Sequence, residues 1–445
     1  MIQGMLRPLI FKTLITNFGL TFLGLVNSVL LSRWLGPAGR GEIAAAMLWP
    51  TMLVYLSSMG LIMATMYFAA LPQSRPDSLF ANSTLLGVAQ GILAAVIGFT
   101  ILPWVLRSQT SEVVSAGRLF LLVVPIALIT QYGVSILQGR LRISSFNWLR
   151  MILPSGYLTG TVILAITGRL SLFSIILLHL FLHSVALIWT LVALSRAGVK
   201  LSLKPDTDLA KEMLKYGGKV HVGNISGSLN LSLDQVLMAA WLPPAALGLY
   251  VAAVSSAGLS QVFSQAVQMV ATPSITQRET ATERASVLQG IFRSYWLVSF
   301  LITVVIGALL PVAIPLVFGA SFKDAIWPAE VLLAGAFFLG AQVVLAGGAQ
   351  ALGNPWLGSK AQIGALIVTL VLLYVLLPRL GIMGAAIATA AAYLTQLMIV
   401  VYGLRYTHGI PMTSLFRIKP TDLSSALNIF ELIRGSRKRL VSDQS

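Results

Sequence analysis

The sequence lacks cysteine and is poor in charged residues. None of its 445 residues is a cysteine, which excludes disulfides and thiolate metal sites. Charged residues make up only 10% of the chain, against roughly 25% in a soluble globular protein. There is no G-x-x-x-x-G-K-[ST] motif, and no loop carries a carboxylate pair, a nucleophile elbow or a metal-ligand cluster. We therefore predict a protein that is not an enzyme and that needs no cofactor or metal.

Apolar residues dominate what is present, with 57% of the chain hydrophobic and a mean hydropathy of +0.86. In lipid a backbone must satisfy its own hydrogen bonds, so apolar runs of about 20 residues become transmembrane helices. The first run follows Arg7 and Lys12 and is too long for a signal peptide, so we expect it to be a retained span. We predict spans near residues 14–32, 43–70, 81–106, 117–137, 150–168, 171–195, 219–242, 247–271, 291–317, 327–350, 358–378 and 382–404.

The distribution of Lys and Arg predicts the orientation of the chain. The formal net charge is +16, but the basic residues fall in short loops between apolar runs, which argues against nucleic acid as a partner. With twelve spans, only seven of the 30 Lys and Arg residues lie on the side opposite the termini. The positive-inside rule then predicts twelve spans with both termini cytoplasmic.

Two cytoplasmic segments have amphipathic patterns. Residues 206–216 begin with a capping Asp206 or Asp208 and predict a short helix on the inner membrane surface. In the tail, Asp422 can cap a second helix, followed by a basic cluster at 434–439 that would favour anionic headgroups. A solvated charged tail is the alternative interpretation of the second segment.

The two halves of the chain match at an offset of 207 positions. Trp34-Leu35-Gly36-Pro37-Ala38 falls on Trp241-Leu242-Pro243-Pro244-Ala245, and Gly41 falls on Gly248. Because the offset covers six spans, the halves enter the membrane in the same orientation, as a parallel repeat. The alternative is a chance match among apolar residues.

These patterns predict an all-α polytopic membrane protein with about twelve transmembrane helices in two six-helix bundles related by a parallel internal repeat. The predicted domains are an N-terminal bundle (1–200), a cytoplasmic linker with an interfacial helix (201–218), a C-terminal bundle (219–408) and a basic cytoplasmic tail (409–445).

Asp234 is the strongest candidate site residue, because an Asp near a helix centre costs roughly 2.5–3.5 kcal/mol on insertion scales. It should face an aqueous cavity, a cation or a partner, and its repeat counterpart is the neutral Asn27. The alternative is a structural role, either a hydrogen bond or an ion pair with Arg33 or another helix.

Uncharged polar residues within the spans are further candidates for lining a cavity. Gln261, Gln265 and Gln268 share one helical face, which either lines a wet cavity or joins helices. Amide groups suit sugar hydroxyls, since they both donate and accept hydrogen bonds. The remaining amide candidates are Asn17, Asn27, Asn224 and Gln131.

Cationic and imidazole side chains near the span ends have two interpretations. Lys12, Arg33 and Arg40, the last two placed in an outer loop, could contact a phosphate group, although such residues often extend to the interface instead. His179 and His183 are spaced like a metal pair, but no carboxylate or Cys accompanies them, which favours polar packing.

Four segments resemble the polysaccharide flippases of the multidrug/oligosaccharidyl-lipid/polysaccharide exporter superfamily. The resemblance covers nearly the whole chain and is strongest from Tyr216-Gly217 through Asp234 to Gly248-Leu249-Tyr250. The segments are LSRWLGPAGRGEIAAA (31–46), KYGGKVHVGNISGSLNLSLDQVLMAAWLPPAALGLYVAA (215–253), PLVFGASFKDAIWPAEVLL (315–333) and LLPRLGIMGAAIATAAAY (376–393).

The resemblance implies that an undecaprenyl-diphosphate-linked oligosaccharide moves from the inner to the outer leaflet by alternating access. It implies basic groups in a central cavity, and as partners the lipid-linked substrate, membrane lipids and a polysaccharide polymerase and export machinery. Multidrug exporters of the superfamily usually have carboxylates in their spans, whereas the first-half spans predicted here contain none. A cation-coupled multidrug exporter and a non-transporting scaffold of a polysaccharide synthesis complex remain the alternatives.

Overall fold

The computed structural model describes residues 2–230 and 232–417, without the side chains of residues 2–12, 14, 222–225, 228 and 270. Within this part of the chain, every regular element is a helix. The tail helix predicted to begin at Asp422 and the basic cluster at 434–439 lie outside the described residues. The helices of the first half are α1 (Ile2–Ser57), α2 (Leu61–Ala70), α3 (Pro76–Val105), α4 (Ser111–Phe120), α5 (Val123–Gly139), α6 (Ile143–Ile166) and α7 (Leu172–Arg196).

The second half continues with eight further α-helices and two 3-10 turns, Gly258–Ser260 and Ala320–Ala325. The helices are α8 (Thr207–Asn230), α9 (Leu233–Trp241), α10 (Pro244–Ala257), α11 (Gln261–Thr276), α12 (Ala281–Phe318), α13 (Ile326–Ala351), α14 (Trp356–His408) and α15 (Met412–Phe416).

The helices agree with the twelve predicted spans. Nine helical stretches of the described residues are long and apolar enough to cross a membrane. Two of these, α1 and α14, each contain a glycine with non-helical backbone angles, Gly36 (φ 65°) and Gly381 (φ 55°), and so comprise two helical segments. The span predicted at 219–242 corresponds to α8 and α9. The predicted fold class, an all-α polytopic membrane protein, is confirmed.

The linker differs from the prediction. No separate interfacial helix covers 206–216, because α8 runs without interruption from Thr207 to Asn230. Tyr216 stacks on Tyr67 of α2, with ring centroids 4.5 Å apart, and this packing holds the segment against α2. The predicted cap at Asp206 is confirmed, since its Oδ1 accepts a hydrogen bond from the Leu209 backbone N–H at 3.1 Å.

The chain forms two compact units. The first contains residues 1–256, 312–328 and 371–385, and the second contains residues 257–311, 329–370 and the described residues from Ala386 onward. In the first unit Tyr132 is fully buried and donates a hydrogen bond to Gln90 at 2.8 Å. In the second, the core includes Phe292 and Tyr295. The domain boundaries expected from the sequence stay a prediction.

Candidate functional site

Five polar side chains of α1, α6 and α7 lie together in the first compact unit. Asn27 of α1 is buried and forms a side-chain hydrogen bond with Tyr157 of α6. The Tyr157 ring packs on His179 of α7, with ring centroids 3.8 Å apart, and the His183 ring lies 6.5 Å from that of His179. Arg40 of α1 interacts electrostatically with both Tyr157 and His179. We call these five residues the Arg40 cluster.

Several polar atoms of the Arg40 cluster are shielded from solvent and have no hydrogen-bond partner among the described residues. They are the Arg40 Nε, the His179 Nε2, the His183 Nδ1 and the Asn27 Oδ1. Neither of the two ion pairs found in the described part of the chain involves Arg40. Arg40 as a whole is half-buried, and a buried polar atom without a protein partner normally meets water or an ion. The Arg40 Nε is a donor that an anion or water can satisfy, whereas the Asn27 Oδ1 is an acceptor that needs a donor such as water.

The sequence suggested that Arg40 lies in an outer loop, but in the structure it lies within α1. Gly36 adopts a positive φ, and the second helical segment of α1 begins directly after it. Pro37 is suited to the first position of a helix, because proline lacks the N–H that would be unpaired there. Arg40 is thus one turn inside the helix.

The earlier start of the second segment also places the half-buried Glu42 inside α1. The expectation that the first-half spans contain no carboxylate stays a prediction, because a position in the helix does not show its depth in a membrane. Glu42 forms no ion pair with Arg40 among the described contacts. Residues two positions apart on a helix do not face each other, which explains why the two charges stay separate.

Arg33 lies at the end of the first segment of α1 and contacts the C-terminal end of α12. Its Nε donates to the Val317 carbonyl oxygen at 2.7 Å, and its second guanidinium nitrogen donates to that of Leu316. Carbonyls at a helix C-terminus lack intrahelical partners and carry partial negative charge, so an Arg there is stabilising. Arg33 acts as a cap in this structure, and a diphosphate contact for it stays a prediction.

Asp234 lies in the first turn of α9, directly after the break between α8 and α9, rather than in mid-helix. It is buried, its Oδ1 accepts the backbone N–H of Gln235 at 2.7 Å, and its Oδ2 accepts the Tyr250 hydroxyl at 2.5 Å. A carboxylate in the first turn also complements the helix dipole. These contacts are the structural hydrogen bonds that were one of the two interpretations of Asp234.

The glutamine face of α11 mainly joins helices. Gln261 donates to the Ala336 carbonyl of α13 at 2.6 Å, and Gln268 donates to the Val343 carbonyl of the same helix at 3.3 Å. Gln265 is exposed. Two of the three amides therefore bond to a neighbouring helix, while a cavity-lining role for the face stays a prediction.

The other predicted site residues are not brought together with the Arg40 cluster by any described contact. Asn17 is half-buried on α1, with a buried Oδ1 that lacks a described partner, and Gln131 is half-buried on α5. The side chains of Asn224 and Lys12 lie outside the described residues.

Residues related by the internal repeat contact each other where α9 meets α10 and where α1 bends. A Cβ atom added to Gly41 would overlap the Pro244 carbonyl oxygen, and one added to Gly248 would overlap that of Pro37. The offset of 207 positions relates Gly41 to Gly248 and Pro37 to Pro244, so each contact is the counterpart of the other. We call this contact between the two turns the repeat seam.

A second pair of contacts beside the repeat seam joins positions that the offset relates, although the donor lies on opposite sides of the two hydrogen bonds. Arg33 donates to the backbone of Leu316, while Ser108 donates to the Ala240 carbonyl oxygen at 2.7 Å. At the offset of 207 positions, Arg33 corresponds to Ala240, and Leu316 corresponds to Gln109, the neighbour of Ser108. Reciprocal contacts of this kind are those of a two-fold axis. They support the parallel repeat predicted from the sequence.

A cavity of about 650 Å³ adjoins the repeat seam. It is lined by Arg107 and Arg379 together with Trp241 and Tyr374, and Tyr374 is 74% exposed. Guanidinium groups match phosphate geometry, and exposed aromatic rings offer a large apolar contact surface. No line of reasoning from the sequence brought these four residues together.

Sequence reasoning also missed Tyr157 and Tyr250, which hold Asn27 and Asp234. A tyrosine in an apolar run gives no signal by itself, because most such residues are core or interface residues. The histidine pair was interpreted as polar packing in preference to a metal pair, and the described residues contain no group of three or more possible metal ligands. Only the packing of the helices places Tyr157 beside Asn27 and His179, and the sequence does not show that packing.

Solved structures of membrane transporters share this fold. The structure superimposes on the lipid II flippase MurJ in an inward closed conformation with a TM-score of 0.73, at 14% identity, covering 95% of this chain and 92% of that one. It matches the inward-facing conformation of a multidrug resistance MATE family transporter of the MOP superfamily with a TM-score of 0.70, at 14% identity, covering 88% and 95%. At these identities the likeness shows a shared fold.

The sequence identifies the family. The model of a family described as polysaccharide biosynthesis protein matches residues 30–327, and the chain belongs to this family. It is also 25% identical over 275 residues to the probable low-salt glycan biosynthesis flippase Agl15 of Haloferax volcanii. The match covers 59% of this chain and spans about half (55%) of that protein's length. The resemblance inferred from the sequence is thus confirmed.

Proposed function

We propose that this protein flips an undecaprenyl-diphosphate-linked oligosaccharide from the cytoplasmic to the outer leaflet by alternating access, and that it is not an enzyme. The Arg40 cluster is the observation that carries the proposal. It holds a guanidinium group beside Asn, Tyr and His side chains, with no ion pair to a described carboxylate. Such a site favours an anionic group, and guanidinium geometry suits the oxygens of a diphosphate.

Membership of a polysaccharide biosynthesis family and the likeness to a glycan flippase support an anionic, glycan-bearing lipid as the substrate. On this proposal the protein resides in the bacterial inner membrane with both termini in the cytoplasm, where the lipid-linked oligosaccharide is available. A polysaccharide polymerase and export machinery would be its functional partners, and nucleic acid would not be one.

Glu42 supports a second candidate function, a cation-coupled multidrug exporter. A half-buried carboxylate inside α1 is the type of group that binds a coupling proton or cation. Arg40 argues against a cationic drug near this segment, because two like charges repel each other in a medium of low dielectric constant.

The proposal is tested by leaflet accessibility of a fluorescent lipid-diphosphate oligosaccharide in liposomes that contain the purified protein. Wild type is compared with Arg40→Gln and with Arg169→Gln, which removes an exposed arginine from the loop between α6 and α7. We expect transfer by wild type and by Arg169→Gln. For Arg40→Gln we expect a loss on the order of 10-fold or more, as for the removal of one charge-assisted contact.

Dye transport in the same liposomes separates the candidates. Absence of lipid transfer under any imposed proton or sodium gradient, together with dye export that is lost in Glu42→Gln, would establish the exporter instead. If neither substrate moves, the scaffold interpretation predicts that transfer by partner proteins is unchanged when this protein carries Arg40→Gln.

A further inference from the structure

A second cavity lies in the first compact unit, between the start of α6 and the end of α7. Its volume is about 290 Å³, and it is lined by Arg142, Ser145, Trp148, Trp189 and Arg196 among others. Arg196 lies at the end of α7, where the linker to α8 begins, and Arg142 directly precedes α6. The cavity therefore marks the end of this helix pair from which the linker leaves. The orientation predicted from the sequence places that end at the cytoplasmic surface of the membrane.

The two arginines of this cavity differ from the arginines around them. Arg140 donates to the Ala197 carbonyl oxygen at 3.0 Å, and Arg150 lies over the Phe146 ring at 5.1 Å from its centroid. Arg142 and Arg196 are exposed, and neither takes part in an ion pair in the described part of the chain. Two like charges on one small cavity repel each other, so an anion placed between them would be stabilised.

The tryptophans indicate the depth of the cavity in the membrane. Trp148 is 66% exposed and Trp189 is 46% exposed, although both are large apolar side chains. Exposed tryptophans at the ends of transmembrane helices lie at the level of the lipid headgroups. The two guanidinium groups therefore lie where lipid phosphates are found, beside an apolar surface that acyl chains can cover.

We infer that the Arg142–Arg196 cavity binds the phosphate headgroup of an anionic membrane lipid. Basic pockets between transmembrane helices on the cytoplasmic side are sites of this kind. The phosphate could belong to a bulk phospholipid or to a polyprenyl diphosphate, since both present the same oxygens to the two arginines. The inference does not depend on the proposed flipping activity. Its alternative is that the arginines set only topology and the tryptophans only anchor the helices.

The test uses the full-length protein in nanodiscs of phosphatidylcholine, with or without a fraction of cardiolipin or phosphatidylglycerol. Lipids that remain bound are identified by native mass spectrometry, and the apparent melting temperature is measured in parallel. Arg142→Gln/Arg196→Gln is compared with Arg278→Gln/Lys360→Gln, which removes the same charge from exposed positions that do not line the cavity.

We expect anionic lipid to be retained by wild type and by the Arg278→Gln/Lys360→Gln control and to stabilise both. Arg142→Gln/Arg196→Gln should lose affinity on the order of 10-fold or more, as expected from the removal of two cations near an anionic surface. Arg142→Lys/Arg196→Lys should retain most of the binding, which a purely structural role for the guanidinium groups would not predict.

A second arm distinguishes the sources of the phosphate. Polyprenyl diphosphate and inorganic phosphate are each added to the phosphatidylcholine nanodiscs in the absence of other anionic lipid. Retention of polyprenyl diphosphate alone would identify the carrier lipid as the occupant, and retention of cardiolipin or phosphatidylglycerol would identify bulk lipid. Equal lipid retention by the Arg142→Gln/Arg196→Gln variant and its control would overturn the inference, as would stabilisation by inorganic phosphate only.

Discussion

Gly41 and Gly248 lie in direct backbone contact, and each is the counterpart of the other in the internal repeat. The position of a Cβ atom on Gly41 is 2.9 Å from the Gly248 nitrogen, and that of a Cβ on Gly248 is 3.0 Å from the Gly41 nitrogen. The same glycine, at the same place in each half, thus allows the two turns to meet. Two glycines that match in the sequence repeat are therefore also in contact in the structure.

Substitution of either glycine should weaken the repeat seam. Gly41→Ala and Gly248→Ala each force a methyl group into a neighbouring carbonyl oxygen, and overpacking of this kind typically costs about 1–3 kcal/mol. We expect a lower apparent melting temperature for both variants. The melting temperature of the double variant should fall by less than the sum of the two single decreases, because one added methyl group separates the turns and leaves space for the other.

Gly24→Ala is the matched control for this experiment. It makes the same substitution in the same helix, at a glycine with no atom within 4 Å of the added Cβ. A melting temperature for Gly41→Ala equal to that of Gly24→Ala would contradict the close approach of the two turns.

The Asp234–Tyr250 hydrogen bond should be measurable as a coupling free energy. Tyr250→Phe removes the donor to a buried carboxylate oxygen, and a hydrogen bond to a charged group contributes about 1.5–3 kcal/mol. A double-mutant cycle with Asp234→Asn, measured by denaturant unfolding, should give a coupling of this order. A coupling near zero would show that the two side chains act independently.

The same two variants separate structure from transport at Asp234. If the carboxylate only holds Tyr250, lipid transfer should fall in Tyr250→Phe and Asp234→Asn to the same extent as stability does. Loss of transfer in Asp234→Asn at unchanged stability would instead assign the charge itself to transport.

Asp206 should stabilise the start of α8 mainly as a cap. Its ion pair with Arg75, at 2.7 Å, involves an arginine side chain that is 72% exposed, and such pairs contribute about 0–1 kcal/mol. The hydrogen bond from the Leu209 N–H is a helix cap, and its removal costs about 0.5–2 kcal/mol. Asp206→Ala should therefore destabilise the protein more than Arg75→Ala does in thermal unfolding.

Asp208→Ala serves as the control for Asp206→Ala. Asp208 is exposed and pairs only with Lys211 among the described ion pairs, at 3.3 Å. Equal effects of the two aspartate substitutions would show that the cap contributes little and that charge at the start of α8 matters instead.

The absence of cysteine allows a direct test of topology. Single cysteines at Lys204 and Lys360 should be protected from a membrane-impermeant maleimide in intact cells, and those at Arg169 and Lys323 should be labelled. All four positions are exposed. The reverse pattern would place the termini outside the cytoplasm, and a mixed pattern would contradict the twelve spans.

The sequence by itself determined the class of structure, and it predicted the twelve spans and the repeat with which the helices and the seam contacts agree. Each of these depends on features that are local or periodic along the chain: apolar runs long enough for a bilayer, and the matched tryptophan, proline and glycine of the two turns. The cap at Asp206 was also predictable, because its hydrogen bond is made to a residue three positions later.

Only the tertiary structure decided which polar residues meet. Arg40 was misplaced because Pro37 starts a helix immediately after the bend at Gly36, and this moves Arg40 from a loop into a helix beside Tyr157 and His179. Asn27 and Tyr157 are 130 positions apart in the chain, so no periodicity connects them. The glutamines of α11 likewise had two possible partners, water or a helix, and the packing of α13 against them determined the choice. A polar side chain within a span has to find a partner, but which one it finds depends on how the helices pack.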